Sequence, residues 1–388
     1  MALQHIVTQI DGDSPGQRFE LVRYKCGPDS APTKIFLQAG LHADEQPGMM
    51  VLHHFLDLLE SADAAGQLAA QFVVMPMVNP IGMGQIQFHT HRGRYNPVNG
   101  INYNRRWPNV MALLGDAEIA GLAVRLSPDD GAANRQLVRR VVAACLARQT
   151  PVTAVDKLRL EVMRETYDSD MVFDLHCDDE ALNHIFIVPQ LMPAFQDLAD
   201  WMGAAAVLTA EDSGGGSFDE VWPGFWLQLV RRYPDKAIAD VPFAATLEYR
   251  GLADVNDSVN RQDAHNLVGF FRARGFITGD KNAPPPQPKT TAPAAKPLAA
   301  TEILRVTSSG VLAYQVRLGD MVQSGDVIAY LVALDGPQAY RARTPITAGT
   351  SGQVISLRSI KYVWPGCSIA KIAGDHLLPN RQGYLLED

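Results

Sequence analysis

A histidine and a glutamate stand three residues apart in "AGLHADEQPG", Ala39 to Gly48, between an apolar run and a proline. His42 offers a ring nitrogen and Glu45 a carboxylate. A catalytic zinc commonly takes three such protein donors and leaves one position open. The short spacer fixes the bite of two ligands, so the third has to come from a distant segment. "MVFDLHCDDE" supplies His176 at the end of an apolar, strand-like run. Two neutral nitrogens and one carboxylate suit a borderline-soft cation such as Zn2+. Hydrolysis also needs a group that moves protons. "AATLEYRG" places Glu248 at the end of another apolar run, where a carboxylate can take a proton from water and pass it to a leaving amine. A fourth stretch, "HTHRGRYNPVNGINYNRRWP", gathers Arg92, Arg94, Arg105 and Arg106 with Asn96, Asn99, Asn102 and Asn104. Guanidinium forks bind carboxylates bidentately, and amides add donors. Taken singly, each feature has an ordinary alternative: a polar surface loop, a Glu248–Arg250 ion pair, a solvated basic loop.

These side chains need elements to hold them. "KIFLQAG" reads as a strand ending at Gly40, and "PGMMVLHHFLDLLESA" as a helix with Pro47 in its first turn. The His42–Glu45 loop therefore joins a strand to a helix. "QFVVMPMVNP" is strand-like and stops at Asn79-Pro80. "NRQLVRRVVAACLARQ" and "VTAVDKLRLEVMRETY" are amphipathic helices, "MVFDLH", "HIFIVP" and "VPFAATLEYR" strands, and "VNRQDAHNLVGFFRARGF" a closing helix. This alternation predicts an α/β fold with a mixed, mostly parallel sheet and helices on both faces. Sites in such sheets collect at the carboxyl ends of the strands, where His176 and Glu248 fall.

The run "GDKNAPPPQPKTTAPAAKP" has the composition of an extended linker. It divides the chain into a hydrolase-like domain at 1–278, a linker at 279–300 and a small all-β domain at 301–388. Within the last, "SGVLAYQVRLGDMVQSGDVIAYL" is echoed by "SGQVISLRSIKYVWPGCSIAKI", with Gly310 answering Gly352 and Gly325 answering Gly366. The echo resembles the flattened β-barrel of biotinyl/lipoyl carriers. The stretch between the halves, "VALDGPQAYRARTPITAGT", contains no lysine, so a carrier function is not expected. The region reads as an accessory or oligomerisation module, compatible with a homo-oligomer.

The formal net charge of −8 over 388 residues argues against nucleic acid as the main partner, because that needs a basic surface. Four scattered cysteines, Cys26, Cys145, Cys177 and Cys367, form no Cys-x-x-Cys and read as reduced thiols. The first residues turn polar before a signal-peptide core builds, and no run of about 18 apolar residues occurs. The expectation is a cytoplasmic protein without membrane contact.

"GLHADE", "NPIG", "RYNPVNGINYNRRWP", "DLH" and "TLEYRG", in that order, resemble the zinc carboxypeptidase clan, and most of all its succinylglutamate desuccinylase/aspartoacylase branch. The resemblance spans most of Ile35 to Ile277. It implies one zinc ion per chain, held by His42, Glu45 and His176, with Glu248 as general base and acid. It implies Asn104 and Arg105 as grips for a substrate carboxylate. It implies an arginine that polarises the scissile carbonyl, for which Arg94 fits best and Arg92 is the alternative. The implied activity is a deacylase that removes an acyl group from an N-acylated amino acid or related small amine. The alternative is a carboxypeptidase cutting C-terminal residues from peptides. The attached β module favours the deacylase, since in that branch it can cap the groove against long peptides.

Some positions depart from that pattern or sit beside it. Asn102 stands where the family often has an aspartate, which weakens a carboxylate role there. Asp174, two before His176 on one strand face, is either an outer partner of the ring or a structural acid. Asp178 and Glu180 read as a solvated turn or as readers of a cationic group. Cys177 reads as a packed thiol. Gly214 to Gly216 read as a mobile loop near the site mouth, and Tyr249 as a core residue or a substrate contact.

Overall fold

In the computed structural model, which describes residues 3–238, 241–279 and 286–386, the chain opens with an antiparallel pair, β1 (Gln4–Asp11) and β2 (Arg18–Cys26). It continues through β3 (Lys34–Ala39), α1 (Pro47–Ala64), β4 (Gln71–Met75), the short α2 (Pro80–Met83) and a hairpin of β5 (Ile86–Gln87) with β6 (Thr90–His91). Three helices follow: α3 (Val110–Arg125), broken at Gly115, then α4 (Gly131–Ala147) and α5 (Ala154–Thr166). Next come β7 (Met171–Asp178), β8 (Glu180–Ala181), β9 (His184–Ile187), α6 (Gln196–Met202) and β10 (Ala206–Thr209). The helix α7 (Phe218–Arg232), the strand β11 (Phe243–Gly251) and the helix α8 (Asp257–Ala273) complete the α/β part.

The chain forms two compact units. The first comprises Met1–His176, Gly215–Thr246 and Asn256–Pro288, and the second Cys177–Gly214, Leu247–Val255 and Lys289–Asp388. This differs from a linear division at residue 279, because the chain passes between units five times.

In the first unit the strands run β1-β2-β4-β3-β7. β3 lies parallel to β4 and to β7, whereas β2 is antiparallel to β4. Strand side chains alternate between faces, and the core follows that period of two. Phe36, Val73, Met75 and Val172 join one cluster with residues of α3, α4, α5 and α7. From the other face Phe72 and Phe173 meet Phe55 of α1 and Phe271 of α8, with ring centroids 5.3–6.2 Å apart. Helices thus cover both faces.

The second unit holds a parallel pair, β9 with β10, and an all-β part: β12 (Lys296–Pro297), β13 (Thr301–Arg305), β14 (Gly310–Tyr314), β15 (Met321–Val322), β16 (Val327–Val332), β17 (Arg343–Thr347), β18 (Gly352–Leu357), β19 (Tyr362–Val363) and β20 (Ser368–Gly374). Two sheets, β13-β20-β18-β15 and β17-β16-β14-β19, enclose a core that includes Leu312, Ile328, Val354 and Ile372. The echoed glycines do equivalent work. A Cβ at Gly310 would lie 2.6 Å from the Val332 carbonyl, and one at Gly352 2.3 Å from that of Ala373. Of the linker at 279–300, residues 280–285 lie outside the described residues. Its end is built into the second unit: β12 adds parallel to β10, and Leu298 packs with Leu208, Ile355 and Ala373.

Candidate metal centre and active site

The strand β3 ends at Ala39, and Gly40 turns the chain with a φ of 72°. The loop after it is held from two sides. Asn79, following β4, donates through Nδ2 to the Leu41 carbonyl at 2.9 Å, while its Oδ1 accepts from the Gly82 amide. The Ala43 amide donates to the Gly93 carbonyl at 2.9 Å. A Cβ at Gly93 would come within 2.6 Å of Ala43 and Asp44, so only glycine allows the Arg92–Arg94 segment this close to the His42–Glu45 loop. Pro47 then starts α1.

Those constraints bring His42, Glu45 and His176 together. All three are buried, and their candidate ligand atoms lie within 4.8 Å of one another. His42 Nδ1 is 2.8 Å from Glu45 Oε1, and His176 Nδ1 is 2.7 Å from Glu45 Oε2. Both rings turn Nδ1 toward the same carboxylate and use Nε2 outward. His42 Nε2 meets Asn102 Oδ1 at 2.7 Å, and His176 Nε2 meets Asp174 Oδ2 at 2.9 Å. Asp174 is fixed in turn by Gln38, its cross-strand partner on β3, which donates to Asp174 Oδ1 at 3.0 Å. Outer partners of this kind set the tautomer and orientation of a metal-binding imidazole.

The electrostatics fit a cation. Burial, with Arg94 nearby, lowers the His42 pKa to about 4 against the pull of Glu45, so the ring is a neutral donor. Burial also pushes His176 down, but the Asp174 and Glu45 carboxylates outweigh it and hold the ring well above the usual histidine range. The Asp174 and Glu45 carboxylates thus favour positive charge at His176, while His42 stays neutral. Asp219, in the first turn of α7, is pushed up by burial and by Asp174, and its Oδ1 accepts from the Ser217 hydroxyl. The residues present suit a divalent ion with nitrogen and oxygen ligands.

Around this group stand the arginine and asparagine positions. Arg94 Nη1 is 2.6 Å from Glu45 Oε1 and 3.2 Å from His42 Nδ1. Arg92 is exposed, so of the two arginines Arg94 is the one at the centre. Its backbone is tied to the Asn102–Asn104 segment, since the Tyr103 amide donates to the Arg94 carbonyl at 3.1 Å. The Asn104 amide is engaged inside the protein. Its Oδ1 accepts from the Phe218 amide at the start of α7, and its Nδ2 lies 3.4 Å from His176 Nε2. Arg105, also buried, sends Nη1 to the Asn104 carbonyl at 2.9 Å.

Glu248 lies in the second unit, near the end of β11, on a partly exposed position. Tyr249, next to it, is buried.

Two expectations change. The acidic run after His176 is tied into the second unit rather than left as a free turn. Within the second unit Asp178 pairs with Lys371 at 2.6 Å and Glu180 with Lys361 at 3.1 Å, and β8 pairs with β18. Nor does the glycine run hang loose, for the Gly215 and Gly216 carbonyls accept from the Arg106 and Trp107 amides, each at 2.9 Å. All four cysteines are buried thiols, Cys177 among them. Two polar contacts were not anticipated. Asn102 takes the ring-orienting role through its amide oxygen rather than a carboxylate. Arg159 of α5 reaches the same loop from behind. For Asn102 the signal was its place two residues before Asn104; nothing local marks Arg159.

What fold and site define is an α/β domain with a buried His-Glu-His group, beside parallel strands, able to hold a cation. Residues 31–219 match the family model of the succinylglutamate desuccinylase/aspartoacylase catalytic domain. Glu248 lies beyond the matched stretch. Solved structures agree on the fold across nearly the whole chain. A protein assigned to this family from Shewanella amazonensis is 20% identical, with 95% of this chain and 98% of that one covered and a TM-score of 0.79. One from Shewanella frigidimarina is 20% identical, with 97% and 98% covered and a TM-score of 0.82. A succinylglutamate desuccinylase/aspartoacylase from Rhodobacter sphaeroides is 16% identical, with 97% and 96% covered and a TM-score of 0.63. At these identities the likeness is one of fold. No curated protein matches the chain. Among the described residues no helix is long and apolar enough to cross a membrane.

Proposed function

We propose that the protein is a zinc-dependent deacylase that hydrolyses the amide of a small N-acylated amino acid or related amine. The observation that carries this reading is the convergence of both histidine Nδ1 atoms on the Glu45 carboxylate, with Arg94 alongside, inside the stretch that matches the family's catalytic domain. His42, Glu45 and His176 would hold the ion. When bound, zinc supplies a Lewis acid for the amide carbonyl and makes a water molecule more acidic.

The chain's own groups do the rest. Asn102 and Asp174 keep the two rings turned with Nδ1 inward. Arg94 carries a guanidinium to the edge of the donor group, where it stabilises the negative charge that develops on the carbonyl oxygen. Glu248 takes a proton from the attacking water and delivers it to the departing nitrogen. Arg105 recognises the substrate carboxylate as a planar fork, and Asn104 holds the loop that presents it to the first turn of α7. On this reading the partner is a small anionic substrate.

The test is a hydrolysis screen of the zinc-loaded full-length chain against N-acetyl, N-succinyl and N-formyl amino acids, with long peptides in parallel. Turnover of at least one N-acyl amino acid, lost on chelation and restored by zinc, is the expected result. Release of C-terminal residues from long peptides, with no deacylation, would replace the proposal with a carboxypeptidase.

A further inference from the structure

We infer that Arg159 is a positioning residue that sets the orientation of Arg105 by clamping the loop Tyr103–Trp107 from behind. This rests on the reading of Arg105 as the carboxylate-binding residue.

The loop's polar groups can be followed one by one. On the donor side, the Tyr103 amide goes to the Arg94 carbonyl, and the Arg105 amide to that of Asn102. The Asn104 amide goes to Asn102 Oδ1, and the Arg106 and Trp107 amides go to Gly215 and Gly216. On the acceptor side, Asn104 is served by the Arg105 guanidinium. The carbonyls of Tyr103, Arg105 and Arg106 converge on one side chain. Arg159 Nη2 donates to Arg105 at 2.7 Å and to Tyr103 at 3.2 Å, and Arg159 Nη1 donates to Arg106 at 3.4 Å. The same guanidinium lies 5.6 Å from the centre of the Trp107 ring.

Such convergence needs a planar, multiply donating cation. A guanidinium presents five N–H donors in a fixed fork and stacks on aromatic faces, whereas an ammonium is a point charge that cannot serve three spread carbonyls and a ring together. The loop also needs holding. Arg106 has a φ of 56°, a left-handed conformation that non-glycine residues keep only where their surroundings over-determine it. The glycine carbonyls fix Arg106 from one side and Arg159 from the other.

The clamp sits on a rigid element. A capping box of Thr153 and Asp156 starts α5, and the Ala154 amide donates to Asp13 Oδ1 at 2.7 Å. Leu158, Leu160 and Met163 are buried beside Arg159. Burial lowers the Arg159 pKa from its usual value, with Asp156 and Tyr103 opposing, as befits a cation withdrawn from water to bind backbone. The shortest of its bonds is to the carbonyl of Arg105 itself, so a shift of Arg159 displaces the residue that is to grip substrate. Misplacement by about 1 Å costs on the order of 100-fold in such arrangements.

The experiment compares Arg159→Met and Arg159→Lys in the zinc-loaded full chain, on an N-acyl amino acid that the wild type hydrolyses and on its carboxamide analogue, which lacks the carboxylate. Arg159→Met is expected to raise KM for the carboxylate substrate roughly 10- to 100-fold while kcat changes little. KM for the carboxamide should stay within about 2-fold, and Arg159→Lys should recover only part of the loss. Because Arg159 acts through Arg105, Arg159→Met added to Arg105→Ala should change KM by less than about 2-fold. Equal effects on both substrates, or multiplying effects in the double variant, overturn the inference. Amide hydrogen exchange keeps the clamp separate from the enzymology: Arg159→Met should lose protection at Tyr103–Trp107 and keep it in β3 and β7. Unchanged protection in the loop also overturns it. If the wild type hydrolyses no N-acyl amino acid, the functional reading falls on that result alone, and exchange still decides whether Arg159 holds the loop.

Discussion

Asn102 Oδ1 lies 2.7 Å from His42 Nε2 and also accepts the Asn104 amide at 2.8 Å. One amide oxygen thus orients a candidate ligand and the first residue of the Asn104-Arg105 pair. Asn102→Leu keeps much of the volume and removes the acceptor, so the His42 tautomer with Nδ1 turned inward loses its support. Zinc affinity should fall roughly 10- to 100-fold, measured by competition with a chelator of known affinity. Asn102→Asp, which restores an oxygen acceptor, should retain the metal. Wild-type affinity in Asn102→Leu would show that the contact does not orient the ring.

Ligand and proton carrier should separate cleanly. His176→Ala removes one of two nitrogens and leaves Asp174 and Glu45 facing each other across the vacated position. The variant is expected to retain no stoichiometric metal. Glu248→Gln, which preserves shape and removes the proton-carrying function, should keep one metal per chain and lose about 100- to 10,000-fold in turnover. Metal analysis and kinetics on both proteins check this. Metal-free Glu248→Gln protein, or Glu248→Gln with unimpaired turnover, would contradict the roles assigned.

The legible part of the site was the part written locally. His42 and Glu45 are three apart at a strand-to-helix junction, and Asp174 and His176 share a strand face by the period of two, so short-range geometry was enough to group them. The echoed glycines of the β module were visible for the same reason: Gly310 and Gly352 answer a local steric demand from a neighbouring carbonyl. What could not be read were contacts between segments far apart in the chain. Asn102 meets His42 across 60 residues. Asp178 and Glu180, which looked like a solvated turn, find Lys371 and Lys361 across 193 and 181 residues. The linker composition was legible, yet it carried no hint that Lys296 and Pro297 would add to β10, since a two-residue strand is chosen by its partner and not by its own propensity.

Alkaline stability offers a check away from the metal. Cys26, at the end of β2, is buried, and that burial together with the Asp63 charge pushes its thiol up to about 12. Burial likewise pushes Tyr103 up to about 12 and raises Tyr314. An acid with a raised folded pKa keeps its proton in the native state after the unfolded chain has lost it. The unfolded state then binds fewer protons, so stability falls as pH rises. The contribution is complete below the ordinary thiol pKa of about 8.5. It declines above that value, first through Cys26 and then, near the ordinary phenol value of about 10, through the tyrosines as well. Denaturant midpoints of the metal-free protein should therefore drop steadily between about pH 8 and pH 11. Cys26→Ala removes the first titration and should flatten the part of the curve between about pH 8.5 and pH 10, whatever its effect on stability at neutral pH. A Cys26→Ala curve parallel to wild type through that window would mean that Cys26 ionises no later in the folded protein than in the unfolded chain.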